Sequence, residues 1–151
     1  MKNIIIFDLD GTLALIDERR KISTKKNGKL DWTIFFNSAN IKLDKPNIPV
    51  INILKNLSKK DFKIYILSGR LETTKKATLK WLSEHNIEFD KLWMRKDDHS
   101  EKFISDEILK ENWLFDIGKK NIMCVFDDRD KVVNMWRRNG LTCLQVAGGD
   151  F

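Results

Sequence analysis

Short apolar runs alternate with longer stretches of helical periodicity along this chain. Residues 3–7 are dominated by β-branched and aromatic side chains, which is typical of a strand buried on both faces of a sheet. Residues 62–67 and 122–126 repeat this character, and residues 92–94 and 142–146 show it more weakly. The pattern therefore predicts five short strands.

Apolar residues between these runs recur at helical spacing. One predicted helix face consists of residues three or four positions apart: Val50, Ile53, Leu54 and Leu57. Further helices are predicted near residues 72–86, 103–115 and 130–138, the last of them ended by Asn139-Gly140. Strands that alternate with helices imply right-handed βαβ units, so the predicted fold class is α/β, a parallel sheet flanked by helices.

The segment at residues 14–48 interrupts this alternation. Its residues 19–29 hold six basic side chains and no acidic one, and an aromatic cluster follows, in which Trp32, Phe35 and Phe36 indicate a short amphipathic helix. We interpret residues 14–48 as a small cap, inserted after the first strand and placed over the carboxyl edge of the sheet. The whole chain, residues 1–151, is then predicted to be one domain.

Charge and cysteine content narrow the class of protein. Lys and Arg number 28 against 22 Asp and Glu, and the resulting charge of +6 favours anionic partners such as nucleic acid or phosphorylated ligands. No apolar run approaches the roughly 20 residues of a membrane span, and the first one is broken at Asp8. We therefore expect a cytoplasmic protein with no membrane partner, in the host cytoplasm if it is phage-encoded. Cys124 and Cys143 lie among apolar residues and are predicted to pack in the core.

Acidic residues follow two of the predicted strands. Asp8 and Asp10 come after the first, and Asp127-Asp128 comes after the strand at 122–126. The carboxyl ends of strands in α/β sheets border the ligand crevice, so these side chains are expected to converge there. Four carboxylates would repel one another without a cation, and oxygen ligands with no His or Cys cluster favour Mg²⁺ over zinc. The sequence thus predicts a Mg²⁺ site formed by Asp8, Asp10, Asp127 and Asp128.

The predicted strand at residues 62–67 is followed by Ser68-Gly69-Arg70. A hydroxyl, a backbone that allows close approach and a guanidinium together suit a phosphate, and metal-bound acids beside them favour phosphoryl transfer with a carboxylate nucleophile. Each motif alone has an ordinary structural explanation, since Asp-Gly is a common turn and an Asp pair can cap a helix. Because all three motifs occur at the ends of predicted strands, a phosphoryl-transfer site is favoured over these structural explanations.

These motifs resemble those of the haloacid dehalogenase (HAD) superfamily. The run Asp8-Leu9-Asp10-Gly11-Thr12-Leu13 resembles its first motif, Ser68 its second and Asp127-Asp128 its fourth. The segment 94–98 and the closing stretch 126–151 are similar to the phosphatase domain of phage polynucleotide kinase-phosphatases. The similarity covers essentially the whole chain and implies a HAD-like (Rossmann-type) fold.

The resemblance implies a role for each matching residue. Asp8 would be the nucleophile that forms an aspartyl-phosphate, and Asp10 would protonate the leaving oxygen and later activate water. Asp127 and Asp128 would position Mg²⁺ together with Asp8 and the Asp10 carbonyl. Arg19 and Arg70 fall where the phosphatase domain has functional arginines.

The same resemblance implies residues that hold the substrate. Ser68 and a lysine of the third motif would bind the phosphoryl oxygens, with Thr12 and Gly69 as further substrate contacts. The lysine is predicted to be Lys102, four residues beyond Asp98, with Lys96 as the alternative. Counting back from residues 107–109 instead puts Ser105 at that position.

A small cap implies an open site that can admit a polymer end. Lys25, Lys26 and Lys29 are predicted to follow the phosphates of such a substrate, the alternative being an exposed solubilising loop. The aromatic cluster could stack on a base, but packing within the cap is the favoured interpretation.

Three functions compete at this point. The first is a Mg²⁺-dependent phosphatase that removes the 3′-phosphate from DNA or RNA ends, the second a phosphatase of free nucleotides or small esters, and the third a non-catalytic nucleic-acid-binding module. The intact acids argue against the third, because binding alone does not need them. No glycine begins a phosphate-binding loop of the form Gly-x-x-x-x-Gly-Lys-Ser/Thr, so kinase activity is not expected, and a kinase or ligase would be a separate partner.

Overall fold

A computed structural model describes residues 2–151 of the protein. In chain order the strands are β1 (Ile4–Phe7), β2 (Ala14–Leu15), β3 (Lys45–Pro46), β4 (Lys63–Leu71), β5 (Lys91–Arg95), β6 (Ile122–Asp127) and β7 (Cys143–Gln145). The α-helices are α1 (Asp17–Ser23), α2 (Trp32–Phe35), α3 (Ile48–Ser58), α4 (Lys75–Glu84), α5 (Asp106–Ile117) and α6 (Asp130–Arg138). Short 3₁₀ turns cover Ser38–Leu43, Glu72–Thr74 and Lys119–Asn121.

Five strands form one parallel sheet in the order β5–β4–β1–β6–β7. The central strand β1 pairs with β4 on one side and with β6 on the other, so Phe7 lies between Ile66 and Phe126. The chain therefore crosses to one side of β1 and then to the other, which opens a crevice at the carboxyl ends of β1, β4 and β6. The predicted parallel α/β sheet is confirmed.

Alternation along β1 divides the core into two layers. Ile4 and Ile6 pack in the apolar cluster that includes residues of α5 and α6, whereas Ile5 and Phe7 pack in the cluster that includes residues of α3 and α4. All four side chains are buried, as the unbroken apolar run predicts. This double burial fixes β1, and with it the position of Asp8 immediately after the strand.

Two helices differ in detail from the periodicity. In α3 the buried positions include Ile51, whereas Ile53 is exposed. The helix predicted from residue 103 begins at Asp106, because Arg95 donates hydrogen bonds to the carbonyls of Glu101 and Ile104 and holds the preceding residues in a separate turn. Phe103 consequently lies outside the helix and is exposed.

Residues 14–46, called the cap segment below, contain α1, α2 and one 3₁₀ turn between two short strands. The strands β2 and β3 pair antiparallel, with Ala14 opposite Pro46. The basic run is not one loop, since α1 continues to Ser23 and a tight turn follows, closed by a bridge between Thr24 and Leu30.

The structure adds one observation on the helices and one on the cysteines. No helix within residues 2–151 is both long enough and apolar enough to cross a bilayer. Cys143 is buried in the core and Cys124 is half-buried. Burial raises the pKa of the Cys143 thiol to about 12, so this cysteine is protonated at neutral pH and unreactive.

Candidate active site

Three carboxylates meet at the carboxyl ends of the neighbouring strands β1 and β6. Asp8 follows β1 directly, Asp127 is the last residue of β6, and Asp128 comes next. Each contributes one oxygen to a group whose atoms all lie within 4.8 Å of one another, and all three side chains are buried. The structure thus brings together three of the four acids that the sequence assigns to a metal site.

The lysine that contacts the acidic cluster is Lys110, whereas Lys102, the predicted third-motif lysine, pairs with another residue. The Lys110 ammonium donates to Asp8 Oδ1 at 2.6 Å and to Asp127 Oδ2 at 3.0 Å, and its side chain is buried. Lys102 instead forms an ion pair with Asp97 at 2.9 Å, with nearly half of its side chain exposed. The alternative, Lys96, is also exposed.

A signal for Lys110 is present in the sequence. It lies three, four and seven residues before Trp113, Leu114 and Ile117, which are all buried, so it occupies the apolar face of α5. A charged residue on such a face needs a buried partner. The spacing of four residues between an aspartate and a lysine also recurs here, between Asp106 and Lys110.

Burial and the repulsion between neighbouring carboxylates raise the pKa values of Asp8 and Asp128. Burial raises the pKa of Asp8 well above its usual value, and the charges of Asp127 and Asp128 add to that effect while Lys110 opposes it. Burial, followed by the Asp127 charge, also raises the pKa of Asp128. For Lys110, burial lowers the pKa, but the two carboxylates that it contacts outweigh burial and raise the pKa above its usual value, so the ammonium stays charged.

The cluster has the donor set of a Mg²⁺ site. Lys110 is the one cation that residues 2–151 supply to these three acids in an ion pair, and the remaining negative charge is what a divalent cation would neutralise. Carboxylate oxygens are hard ligands that suit Mg²⁺. Asp8, Asp127 and Asp128 therefore fit the predicted metal.

The Asp10 side chain lies outside this cluster. Its Oδ1 accepts hydrogen bonds from Arg19 Nη2 at 2.7 Å and from Arg70 Nε at 2.9 Å. Both guanidinium groups also donate to the carboxylate of Asp44, and both arginine side chains are fully buried. The expectation of four converging carboxylates is thus wrong for Asp10, because two arginines hold its carboxylate elsewhere. Its backbone carbonyl stays a predicted metal ligand.

Asp44 is a site residue that the sequence analysis missed. It lies just before β3, and it accepts from Arg19 Nε and Nη2, both at 2.9 Å, and from Arg70 Nη2 at 2.8 Å. Its position before a lysine and a proline gives no signal in the sequence, because the contact depends on the cap segment folding back onto the sheet. Asp44 thus joins an arginine of the cap segment to an arginine of β4.

This network sets the charge state of both acids. Burial opposes ionisation of Asp10, but the adjacent Arg70 and Arg19 guanidinium groups outweigh it and hold the pKa of that carboxyl below its usual value. Burial raises the pKa of Asp44 to about 6 despite the same two arginines. Asp10 is therefore ionised at neutral pH, the form that accepts a proton.

The Thr12 hydroxyl lies against the acidic cluster and not at the cavity surface, and its contact with substrate stays a prediction. Its side chain is completely buried, and its hydroxyl lies 3.2 Å from Asp8 Oδ2 and 3.4 Å from Asp128 Oδ1. The turn that carries it requires glycine at position 11. Gly11 has φ +87°, and a Cβ there would lie 2.1 Å from Asp128 Oδ2.

The Ser68-Gly69-Arg70 motif borders the site at the end of β4. Ser68 is buried, and its Oγ accepts a hydrogen bond from the Arg70 backbone N–H at 3.2 Å. Gly69 allows close packing, since a Cβ there would lie 2.5 Å from Asp106 Oδ1. Its carbonyl accepts a hydrogen bond from Arg95 Nε at 3.0 Å. The contact of Ser68 with a phosphoryl group stays a prediction.

A cavity of about 750 Å³ leads to the carboxylates. Asp8, Asp127 and Lys110 line its polar end. Further charged side chains also line it, namely Asp10, Arg20, Arg70, Arg95, Lys102, Asp106, Asp128 and Arg129. The apolar part of the wall comes mainly from the cap segment, the turn before α5 and the end of the chain: Ile16, Leu30, Trp32, Phe35, Phe36, Phe103, Ile104 and Phe151.

The aromatic residues of the cap segment divide between packing and exposure. Phe35 is buried beneath the Arg19 guanidinium, 4.5 Å from its ring centroid, as the packing interpretation expects. Trp32 contacts the Phe35 and Phe36 rings but is 59% exposed, so it packs within the cap only in part. The helix α2 has only four residues and does not bury side chains on both of its faces. The Trp32 indole therefore lies in the cavity wall.

The three predicted cap lysines do not line this cavity. Lys25, Lys26 and Lys29 lie exposed on the turn between Thr24 and Leu30, and Lys25 is 3.8 Å from Asp31. They are therefore placed on the outer surface beside the cavity, where a role in following a polymer stays a prediction.

A family model described as the polynucleotide kinase PNKP phosphatase domain matches residues 2–151. The chain belongs to the PNKP phosphatase-domain family. It is therefore a HAD-type phosphatase domain, a hydrolase that acts on phosphate esters, and both the fold class and the family resemblance are confirmed.

Individual relatives agree with this family. A protein of Autographa californica nuclear polyhedrosis virus, described as a bifunctional polynucleotide kinase/RNA ligase, is 31% identical over 137 residues, 88% of this chain and 17% of the viral protein. A chain in the structure of the Pnkp1/Rnl/Hen1 RNA repair complex superimposes with a TM-score of 0.79 at 31% identity, over 99% of this chain and 44% of that one. The chain thus spans less than half the length of these relatives.

The fold extends to more distant proteins. A Clostridium acetobutylicum protein described as a phosphatase superimposes with a TM-score of 0.74 at 14% identity, over 96% of this chain and 84% of that one. At this identity the likeness concerns the fold alone.

Proposed function

We propose that this domain is a Mg²⁺-dependent phosphatase that removes the 3′-phosphate from polynucleotide ends through an aspartyl-phosphate on Asp8. The observation that carries the proposal is the position of Asp8, at the polar end of an open cavity and held by Lys110 at 2.6 Å. Membership of the PNKP phosphatase-domain family supports the substrate class.

The first chemical step belongs to Asp8. Its carboxylate oxygen attacks the phosphorus, a new bond forms from Asp8 to phosphorus, and the bond from phosphorus to the 3′-oxygen breaks. Thr12 and Lys110 orient the nucleophile through the hydrogen bonds to its two oxygens. The Lys110 ammonium also lies where it can stabilise negative charge on the transferring group.

Asp10 would act in the second step. Its ionised carboxylate, fixed by Arg19 and Arg70, can accept a proton from the water that attacks the aspartyl-phosphate and releases inorganic phosphate. In the first step the leaving 3′-oxygen takes a proton, which the family resemblance assigns to the protonated carboxyl of Asp10. This transfer leaves Asp10 as the carboxylate that the second step requires.

Mg²⁺, held by Asp8, Asp127 and Asp128, would neutralise charge on the phosphoryl oxygens. We expect phosphate release to fall to background when a chelator is added and to return when Mg²⁺ is restored in excess. The measurement is release of inorganic phosphate from a 3′-phosphorylated oligonucleotide, with circular dichroism as the control that the chelated protein stays folded. Turnover that persists in the chelator would contradict the metal assignment.

The substrate class is tested by a direct comparison. We expect kcat/KM for a 3′-phosphorylated oligonucleotide to exceed that for the matching 3′-mononucleotide by about tenfold or more, because Arg20 and Arg129 line the cavity and could contact a further phosphate that only the oligonucleotide has. DNA and RNA ends are assayed side by side, and we expect RNA to be preferred because two relatives are described as part of an RNA repair complex and as an RNA ligase. Equal or faster turnover of the mononucleotide would favour a phosphatase of small esters.

The relatives also suggest the functional setting. Because they are named for polynucleotide kinase, RNA ligase and an RNA repair complex, we propose that a kinase or ligase acts on the same ends as this phosphatase. Removal of a 3′-phosphate leaves a 3′-hydroxyl, the group that a ligase joins.

A further inference from the structure

We propose that Trp32 and Phe36 of the cap segment, together with Phe103 of the turn before α5, form a binding site for the terminal nucleobase of the substrate. The inference rests on the proposed function and deepens it, since it assigns the part of the cavity that recognises a nucleotide rather than a phosphate.

The first observation is the exposure of two large aromatic side chains at the same cavity. Trp32 is 59% exposed and Phe103 is 77% exposed, and both line the space that leads to Asp8. Trp32 belongs to the cap segment, whereas Phe103 belongs to the turn before α5. Exposed aromatic surface beside a polar site marks a place where a flat apolar group can bind.

The second observation is that the indole is held in place. The Trp32 and Phe36 rings stack with centroids 5.6 Å apart and 18° between their planes, and Trp32 meets the Phe35 ring edge-on at 5.7 Å. Asp31 caps the short helix by accepting hydrogen bonds from two backbone N–H groups. A pre-ordered aromatic surface loses little conformational freedom when a base binds to it.

The third observation connects this surface to the catalytic acids. Phe35, which supports Trp32, packs against the Arg19 guanidinium, and its carbonyl accepts a hydrogen bond from Arg19 Nη1 at 3.3 Å. Arg19 in turn holds Asp10. The aromatic surface and the acid at the reacting end are thus parts of one packed unit, with the distance between them fixed.

Charge at the rim favours a nucleotide over other flat ligands. Arg20 and Arg129 both line the cavity and lie over the Phe151 ring, at 4.6 and 5.5 Å from its centroid. A ligand that fits must combine a terminal phosphate at Asp8, further negative charge near these guanidinium groups and a flat apolar ring. A polynucleotide end has all three.

The test varies the base and keeps the phosphate. Steady-state kinetics are measured for a 3′-phosphorylated trinucleotide, for the same strand without its terminal base, and for glycerol 2-phosphate. We expect Trp32→Ala to raise KM for the complete trinucleotide by about tenfold, the size of a lost stacking contact, with little change in kcat. KM for the other two substrates should change less than twofold.

Two further variants sharpen the result. Phe103→Ala should reproduce the selective rise in KM, and Trp32→Phe should restore most of the affinity because a phenyl ring also stacks. Phe115→Ala is the matched control, since Phe115 is as exposed as Phe103 but does not line the cavity. Equal effects of Trp32→Ala on all three substrates, or no effect on any, would overturn the base site.

A binding measurement separates this proposal from the proposed function. Fluorescence anisotropy of a labelled trinucleotide with a 3′-hydroxyl, the product, reports base binding without turnover. If Trp32→Ala weakens this binding while the wild type releases no phosphate from any ester, the base site stands and the phosphatase proposal fails. If the wild type is active but Trp32→Ala leaves product affinity unchanged, only the base site fails.

Discussion

Asp8→Asn is expected to lower kcat for phosphate release on the order of a thousandfold or more, because the amide cannot attack phosphorus or carry the covalent phosphate. The substitution keeps the size of the side chain. It also removes one of three mutually repelling carboxylates while leaving Lys110 paired with Asp127. We therefore expect the protein to remain folded, with a melting temperature equal to or above that of the wild type.

Asp116→Asn is the matched control, because Asp116 is an exposed aspartate on α5. It should leave kcat and the melting temperature unchanged. A trapping experiment adds a second readout, in which wild-type protein quenched in acid during turnover carries one phosphate and Asp8→Asn carries none, as measured by mass spectrometry. Substantial turnover by Asp8→Asn would exclude Asp8 as the nucleophile.

Lys110→Met should damage both stability and catalysis. Methionine fills a similar volume but leaves Asp8 and Asp127 buried without their ammonium partner, which we expect to lower the free energy of unfolding by about 3 kcal/mol. Loss of a charge that faces the transferring phosphoryl group should lower kcat by about a hundredfold. Urea unfolding, followed in the presence of a chelator so that no metal compensates, measures the first effect.

Lys102→Met serves as the control for this experiment and decides between the two lysines. Lys102 lines the cavity, but nearly half of its side chain is exposed and it pairs with Asp97 rather than with the acidic cluster. Its loss should therefore cost well under 1 kcal/mol and change kcat little. A large loss of activity for Lys102→Met with little for Lys110→Met would contradict the assignment drawn from the structure.

The sequence predicts the acids well because their placement depends on local pattern. An apolar run long enough for a buried strand, followed at once by aspartate, places that carboxylate at the carboxyl edge of the sheet whatever the rest of the chain does. Asp8, Asp127 and Asp128 are of this kind. The five strands and their parallel pairing follow from the same pattern.

The missed residues depend on contacts between distant segments. Asp44 acquires its role only when the cap segment folds back on the sheet and meets Arg70, 26 residues away. Lys110 could have been predicted from the sequence, because a lysine on the apolar face of a helix indicates a buried acidic partner. Lys102 and Lys110 each lie four residues after an aspartate. Arg95 holds the turn that contains Lys102, so α5 begins after that turn and it is Lys110 that meets the acids.

The pairing of β2 with β3 has a consequence for how such a domain can diversify. Because Ala14 lies opposite Pro46, the intervening chain departs from the sheet and rejoins it at one place. Residues 24–29 of the tight turn that the Thr24–Leu30 bridge closes are all exposed, so the length and sequence of this turn can change without moving β1 or β4. Changes confined to this turn should therefore leave Asp8, Asp127 and Lys110 in place, and grafting turns of different length and charge would test whether the turn affects which substrates the domain accepts.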